Sequence, residues 1–154
     1  MRGSCYCGSV SYSVQGCPAL SAYCHCTLCQ RLTGCPFVHT IHFEPSAFTW
    51  THKTPHENHL DQYTVAEKLN KTRYRCKTCG VTVASRNSNS GHWSVWGSHL
   101  ERDEKGQILD WEIVKPTSHM FYGTRVIDVV DGLGKWEGYE NKSDRIDVAA
   151  DAVV

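Results

Sequence analysis

The sequence lacks a net charge and long apolar runs. Lys and Arg together number 16 among the 154 residues, and Asp and Glu together also number 16, so the formal net charge is zero. Such a chain does not present the basic surface with which proteins bind nucleic acid or anionic membranes. No apolar run reaches the roughly 20 residues that a membrane-spanning helix needs. We therefore expect no nucleic-acid partner and no membrane association.

Common catalytic motifs are also missing. The sequence has no G-x-S-x-G elbow, P-loop, Rossmann glycine fingerprint or H-E-x-x-H motif, which argues against the enzyme classes that these motifs mark. The first ten residues, MRGSCYCGSV, hold no apolar segment typical of a secretory signal. We expect a cytoplasmic protein, and in that reducing compartment clustered cysteines bind metal more often than they form disulfides.

Helical periodicity is scarce, and short alternating or β-branched runs predict strands instead. The predicted strands are Ser9–Val14, Phe37–Phe43, Val81–Arg86, His92–Gly97, Leu109–Val114 and Thr124–Val130. One short helix is predicted from Thr27 to about Thr33, ended by Gly34. We expect a mainly β, mostly antiparallel fold with little helix. No linker divides the chain, so we expect one domain over residues 1–139 and a frayed or briefly helical tail over 140–154.

Two close pairs of cysteines predict a structural zinc site. Cys76 and Cys79 form a C-x-x-C knuckle in which Gly80 permits the tight turn. Structural zinc takes four tetrahedral ligands, commonly thiolates, so a knuckle supplies half of a site. Cys5 and Cys7, also followed by a glycine, are the natural other half. The alternative is two unrelated buried pairs, but one shared ion would couple metal binding to folding.

A third group, Cys24, Cys26 and Cys29, has no obvious fourth ligand. Catalytic zinc sites typically hold three protein ligands and leave the fourth position to water or substrate. A sulfur-ligated zinc suits a soft substrate thiolate. The alternative is a closed site in which Cys17, Cys35 or a histidine supplies the fourth ligand.

Histidines offer a rival metal site. His52, His56 and His59 lie within eight residues, but Pro55 interrupts any regular helix that would align them. A solvated loop is the interpretation we prefer. Strand alternation would turn His25 away from a metal held by its two cysteine neighbours, so we expect it to support that site or pack beside it.

Three cysteine motifs together resemble the glutathione-dependent formaldehyde-activating enzyme family, also called the centromere-protein-V-like domain. The motifs are GSCYCGSV, YCHCTLCQRLTG and RCKTCG, and HMFYGTRVIDVVDGLGKWEGY resembles the closing region of the family. The resemblance covers roughly residues 3 to 136 and implies an Mss4-like antiparallel β fold organised around zinc. It implies a structural zinc on Cys5, Cys7, Cys76 and Cys79, and a second zinc on Cys24, Cys26 and Cys29.

The resemblance also implies a reaction. The family's named activity adds glutathione, as co-substrate, to formaldehyde and gives S-hydroxymethylglutathione, so the enzyme is formally a carbon–sulfur lyase running in its synthetic direction. Zinc would lower the pKa of a bound thiol and hold the thiolate at neutral pH. Gln30 and Arg31 follow the last ligand and are candidates to steer a peptide carboxylate, with an exposed structural role as the alternative.

The sequence departs from the family pattern in two ways. Cys17 and Cys35 are additional to the seven motif cysteines, and the familiar CGT after the knuckle is CGV here. Two other functions stay open: a non-catalytic module or carrier that binds zinc or a small thiol, and a chromatin or cytoskeletal adaptor. Zero net charge makes the adaptor the least favoured of them.

Overall fold

A computed structural model describes residues 1–146, and the chain falls into two compact units. The first unit comprises Met1–Leu20 and Ile41–Val114, whereas the second comprises Ser21–Thr40 and the chain from Lys115 onward. The expected domain boundary at residue 139 stays a prediction. Residues 147–154 of the expected tail lie outside the described residues.

Eleven strands, two short helices and four 3-10 turns make up the described chain. The strands are β1 Arg2–Ser4, β2 Ser11–Val14, β3 Leu20–Cys24, β4 Val38–Phe43, β5 Phe48–Trp50, β6 Leu60–Val65, β7 Lys68–Cys76, β8 Thr82–Asn87, β9 Trp93–Trp96, β10 Ser118–Met120 and β11 Gly134–Lys135. The helices are α1 Thr27–Thr33 and α2 Trp111–Val114, and the 3-10 turns are Pro45–Ala47, His56–Asn58, Gly97–His99 and Tyr122–Thr124. The mainly β class is confirmed.

The first unit is antiparallel. Strands β1, β2 and β5 form a three-stranded sheet in the order β1-β2-β5, and a second group runs in the order β9-β8-β7-β6. Their inward faces meet in an apolar core where the rings of Phe48 and Trp93 stack at 4.1 Å between centroids. Cys5 and Cys76 belong to this core, so one cysteine of each close pair is buried in it.

The second unit adds parallel pairing. Strand β10 pairs in parallel with both β3 and β11. The register places Met120 opposite Cys24 and His119 opposite Tyr23. Helix α1 begins three residues after β3 ends and closes at Gly34, whose left-handed φ of 70° suits a residue without a Cβ. The predicted helix is therefore confirmed at both ends.

Two predicted strands are wrong. Within Leu109–Val114 the chain forms helix α2, because the amides of Ile113 and Val114 both bond to the carbonyl of Asp110. Within Thr124–Val130 no strand forms, and the Tyr122 hydroxyl instead bonds to the amide and the carbonyl of Val129. In both segments the apolar residues that suggested a strand are largely exposed: Leu109, Trp111, Ile113, Val126, Ile127 and Val130.

We predict that Gly3→Ala destabilises the protein by about 1–3 kcal/mol, the usual cost of overpacking. A Cβ at Gly3 would lie 2.5 Å from Cζ of Tyr12 and 3.0 Å from the carbonyl oxygen of His99, and the Tyr12 ring is fully buried. Thermal unfolding measures the loss. Gly123→Ala is the control, because the nearest atom to its added Cβ is 4.0 Å away. Equal effects of the two substitutions would contradict the prediction.

Candidate functional site

The first cysteine cluster gathers Cys5, Cys7, Cys76 and Cys79. Their sulfur atoms all lie within 4.8 Å of one another. The Sγ of Cys7 is 3.6 Å from that of Cys5 and 3.8 Å from that of Cys76. Two thiolates at about 2.3 Å from one tetrahedral zinc are about 3.8 Å apart. The donor set therefore fits a metal ion with four sulfur ligands.

The two halves of this cluster are built alike. In each, a glycine in the left-handed region ends a tight turn: Gly8 at φ 78° and Gly80 at φ 74°. The Gly8 amide donates to the carbonyl of Cys5 at 3.1 Å, and the Gly80 amide donates to that of Cys76 at 2.9 Å. The turns at Gly8 and Gly80 therefore have the same local geometry, as expected for the two halves of one site.

Burial and hydrogen bonding separate the pKa values within the first cluster. Burial raises the pKa of Cys5 to about 12. Hydrogen bonding with the side chain and backbone of Ser9 lowers the pKa of Cys7, which is exposed, to about 6. Neighbouring thiols without a cation cannot all ionise, because each thiolate disfavours the next. A bound cation would remove this penalty for the whole set.

The second cysteine cluster gathers Cys24, Cys26 and Cys29, with sulfurs again within 4.8 Å of one another. Cys24 is the last residue of β3, and Cys26 is the N-cap of α1. The Sγ of Cys26 accepts a hydrogen bond from the amide of Cys29 at 3.3 Å. Strand end, cap and first helical turn thus bring three sulfurs together, and the group can hold a metal ion.

The group of three does not include the candidate fourth ligands. Cys35 is exposed, and its thiol donates to the carbonyl of Thr33 at 3.7 Å. Cys17 is exposed and belongs to the first unit.

Within the second cluster, hydrogen bonds from Cys24 and Cys29 lower the pKa of Cys26 to about 2, while hydrogen bonding to Cys26 raises the pKa of buried Cys24.

A buried imidazole chain runs beside the second cluster. Nε2 of His25 lies 2.8 Å from Nδ1 of His119, and Nε2 of His119 lies 2.8 Å from Oδ2 of Asp131. The carboxylate only accepts, so His119 carries its proton on Nε2 and accepts on Nδ1. His25 must then donate through Nε2. Both imidazoles are fully buried, and this chain was not predicted from the sequence.

His25 also holds the backbone between two cysteines of the cluster. Its amide donates to the carbonyl of Met120 at 2.9 Å. Its carbonyl accepts from Nε2 of Gln30 at 2.7 Å and from the hydroxyl of Thr124 at 3.0 Å. The expectation that His25 supports the cluster agrees with these contacts.

Gln30 and Arg31 follow the last cysteine on α1. Besides its bond to His25, the Gln30 amide donates to the carbonyl of Thr124 at 3.0 Å, so its nitrogen serves two backbone carbonyls. Arg31 is exposed in the last turn of the helix. Their roles in substrate binding stay predictions.

The loop that carries His52, His56 and His59 is less exposed to solvent than the sequence predicts. His52 is buried, and its Nδ1 lies 3.0 Å from the carbonyl oxygen of Ser11. Nδ1 of His56 lies 3.2 Å from Nε2 of His52. Among residues 1–146, these histidines do not form a group of three with all ligand atoms close together.

The comparisons with known proteins agree with the cysteine motifs. The sequence model of the glutathione-dependent formaldehyde-activating enzyme family matches residues 1–124. The chain belongs to this family. The family's description names glutathione, so a small thiol is the substrate class that membership implies. No curated protein matches the chain.

A Rhodobacter sphaeroides protein of known crystal structure is similar to this family member. The two chains are 24% identical with a TM-score of 0.49, over 70% of this chain and 97% of the other. In the part of the chain that the structure describes, no helix is both long and apolar enough to cross a membrane. The cytoplasmic location stays a prediction.

We predict that Asp131→Asn lowers stability at neutral pH by about 1–2 kcal/mol. Burial opposes ionisation of Asp131, but hydrogen bonds from His119 and Lys135 outweigh it and lower the carboxyl pKa from 3.8 to about 2. A depressed pKa stabilises the folded state above pH 3.8, and that stability is lost as the pH falls towards about 2. Urea unfolding at pH 7 and pH 2.5 measures the difference between variant and parent.

The control is Asp61→Asn, which removes an exposed ion pair with Arg75 at 3.0 Å. Exposed pairs contribute about 0–1 kcal/mol, so a smaller loss is expected there. If Asp131→Asn lowered the stability by as much at pH 2.5 as at pH 7, the result would contradict the lowered pKa of Asp131.

Proposed function

We propose that the protein is a zinc-dependent carbon–sulfur lyase or synthase that acts on a glutathione adduct. The favoured reaction joins glutathione and formaldehyde to give S-hydroxymethylglutathione. The second cysteine cluster carries this proposal, because its three sulfurs lie close together on a strand end and a helix cap. Three sulfurs leave one position of a tetrahedral zinc for a substrate thiolate.

The two clusters have different roles in this proposal. Cys5, Cys7, Cys76 and Cys79 would hold a structural zinc with a complete set of ligands. Cys24, Cys26 and Cys29 would hold the second zinc, which would lower the pKa of a substrate thiol. The substrate thiolate would attack the aldehyde carbon as the carbonyl π electrons move to oxygen, and a proton equivalent to the one that the thiol lost would complete the hydroxyl group.

The chain's own residues position this site. The buried ring of His25 is fixed by His119, and its backbone sets the spacing of Cys24 and Cys26. The amide of Cys29 donates to Cys26 Sγ, which favours the thiolate form of that ligand. Arg31 is proposed to attract a carboxylate of glutathione from its exposed place on α1.

We predict that Cys26→Ser removes the second metal and most of the activity. Zinc content should fall from about two ions per chain to about one, because a serine hydroxyl is a poor ligand for a soft site. Formation of S-hydroxymethylglutathione should fall by a factor of at least about 100, in line with the loss of metal-assisted chemistry. Metal analysis and an adduct assay by NMR measure both quantities.

Cys35→Ser is the matched control, because this exposed cysteine on the same stretch of chain lies outside the cluster. It should keep both ions and full activity. Unchanged turnover in Cys26→Ser, at equal occupancy of the first cluster, would refute the proposal. Glutathione binding by calorimetry with reaction rates at background would instead identify a non-catalytic thiol-binding module.

We predict a different outcome for the first cluster. Cys76 is fully buried in the apolar core of the first unit, so Cys76→Ser should lower the unfolding temperature by 10 °C or more, roughly the effect of losing a structural metal. A strong chelator added to the parent protein should produce a similar shift. The control is Cys17→Ser, an exposed cysteine of the same unit that lies outside the cluster. A chelator-insensitive unfolding temperature would contradict a structural metal.

A further inference from the structure

Tyr139 lies close in the fold to the second cysteine cluster. The register places Met120 opposite Cys24. The next residue, Phe121, donates its amide to the carbonyl of Gly138 at 3.4 Å. The rings of Phe121 and Tyr139 then meet edge to face, with 5.4 Å between their centroids. These three contacts connect Cys24, through Met120 and Phe121, to the ring of Tyr139.

A compact turn holds Tyr139 in place. The amide of Gly138 donates to the hydroxyl oxygen of Ser143 at 2.8 Å, and that hydroxyl donates to the carbonyl of Tyr139 at 3.0 Å. The same carbonyl accepts from the amide of Lys142 at 3.0 Å. The backbone is thus fixed, while the side chain is 42% exposed. Within residues 1–146 its hydroxyl makes no hydrogen bond.

Burial raises the pKa of the Tyr139 phenol above its ordinary value. A neutral phenol is therefore the form present at physiological pH, and it can donate one hydrogen bond.

Three other donors of the second unit are engaged within the protein. The Gln30 amide nitrogen serves the carbonyls of His25 and Thr124. The Arg125 guanidinium pairs with Asp128 and lies over the Tyr122 ring. The buried His25 ring donates to His119. The Tyr139 side chain, by contrast, is 42% exposed, so its hydroxyl is available to a ligand.

We propose that Tyr139 is a catalytic residue whose hydroxyl donates a hydrogen bond to the substrate oxygen at the second cluster. This inference rests on the proposed function. As the sulfur–carbon bond forms, the carbonyl π bond breaks and its electron pair moves to oxygen. The thiol proton has already left, and an equivalent proton from solvent completes the hydroxyl. The phenol stabilises the oxygen while it carries negative charge, and no oxidant or reductant is needed.

We predict that Tyr139→Phe lowers kcat about a hundred- to a thousandfold, as loss of one donor to a developing oxyanion does. The KM for glutathione and the zinc content should not change, because the phenol contacts oxygen and not sulfur. The control is Tyr63→Phe in the first unit, which removes a hydroxyl bonded to Thr82 at 2.9 Å. Steady-state kinetics at matched zinc content measures both variants.

A binding experiment tests Tyr139 independently of turnover. The parent protein loaded with zinc should bind S-hydroxymethylglutathione about three- to tenfold more tightly than S-methylglutathione, since only the former offers an oxygen. Tyr139→Phe should abolish this preference and leave S-methylglutathione binding unchanged. Equal binding of both ligands to the parent, or an unchanged preference or kcat in the variant, would overturn the inference. Absence of turnover in the parent would refute the proposed reaction alone.

Discussion

The close approach of cysteine sulfurs is the constraint on which the rest of the structure depends. Sulfurs 3.6 and 3.8 Å apart in the first cluster cannot all carry charge unless a cation lies among them. Burial also raises the pKa of Cys5, whereas hydrogen bonding with Ser9 lowers the pKa of Cys7. Binding a cation to such a group releases protons and ties together the strands that carry it. The local turns and strand ends of each unit serve to bring these sulfurs to one point.

The two clusters differ in what surrounds their sulfurs. The first has two fully buried members inside an apolar core, two members that reach solvent, and a matching glycine turn on each half. Its four sulfurs complete the ligand set of a tetrahedral metal. The second lies at the end of a strand, where two of its members, Cys26 and Cys29, are partly exposed. It offers one ligand fewer, and it is accompanied by the buried chain from His25 to Asp131. Four ligands fit a structural role, and three ligands with a fixed backbone fit binding of a substrate.

Short-range spacing made the cysteine groups predictable. A C-x-x-C knuckle with its glycine, or a helix cap followed by a first turn, is a local feature whose geometry neighbouring residues determine. The pairing of His25 with His119 spans 94 residues and depends on the parallel register of β3 and β10, so no local pattern reveals it. The same limit applies to Tyr139. The strand predicted over Leu109–Val114 is wrong because a short helix forms there, in which Trp111 and Ile113 are exposed and Val114 is buried.

The imidazole chain explains why the histidine between two cysteines of the second cluster does not belong to the group that could hold a metal ion. Strand geometry turns the His25 ring away from its neighbours, and donation to His119 uses the nitrogen that carries its proton. Asp131, held by Lys135 at 3.0 Å, fixes the tautomer of His119 and hence that of His25. The ring is thereby fixed in one orientation, and the bonds of His25 to Met120, Gln30 and Thr124 fix its backbone. Two cysteines of the second cluster are thus positioned by the residue between them, whose ring bonds to His119 instead.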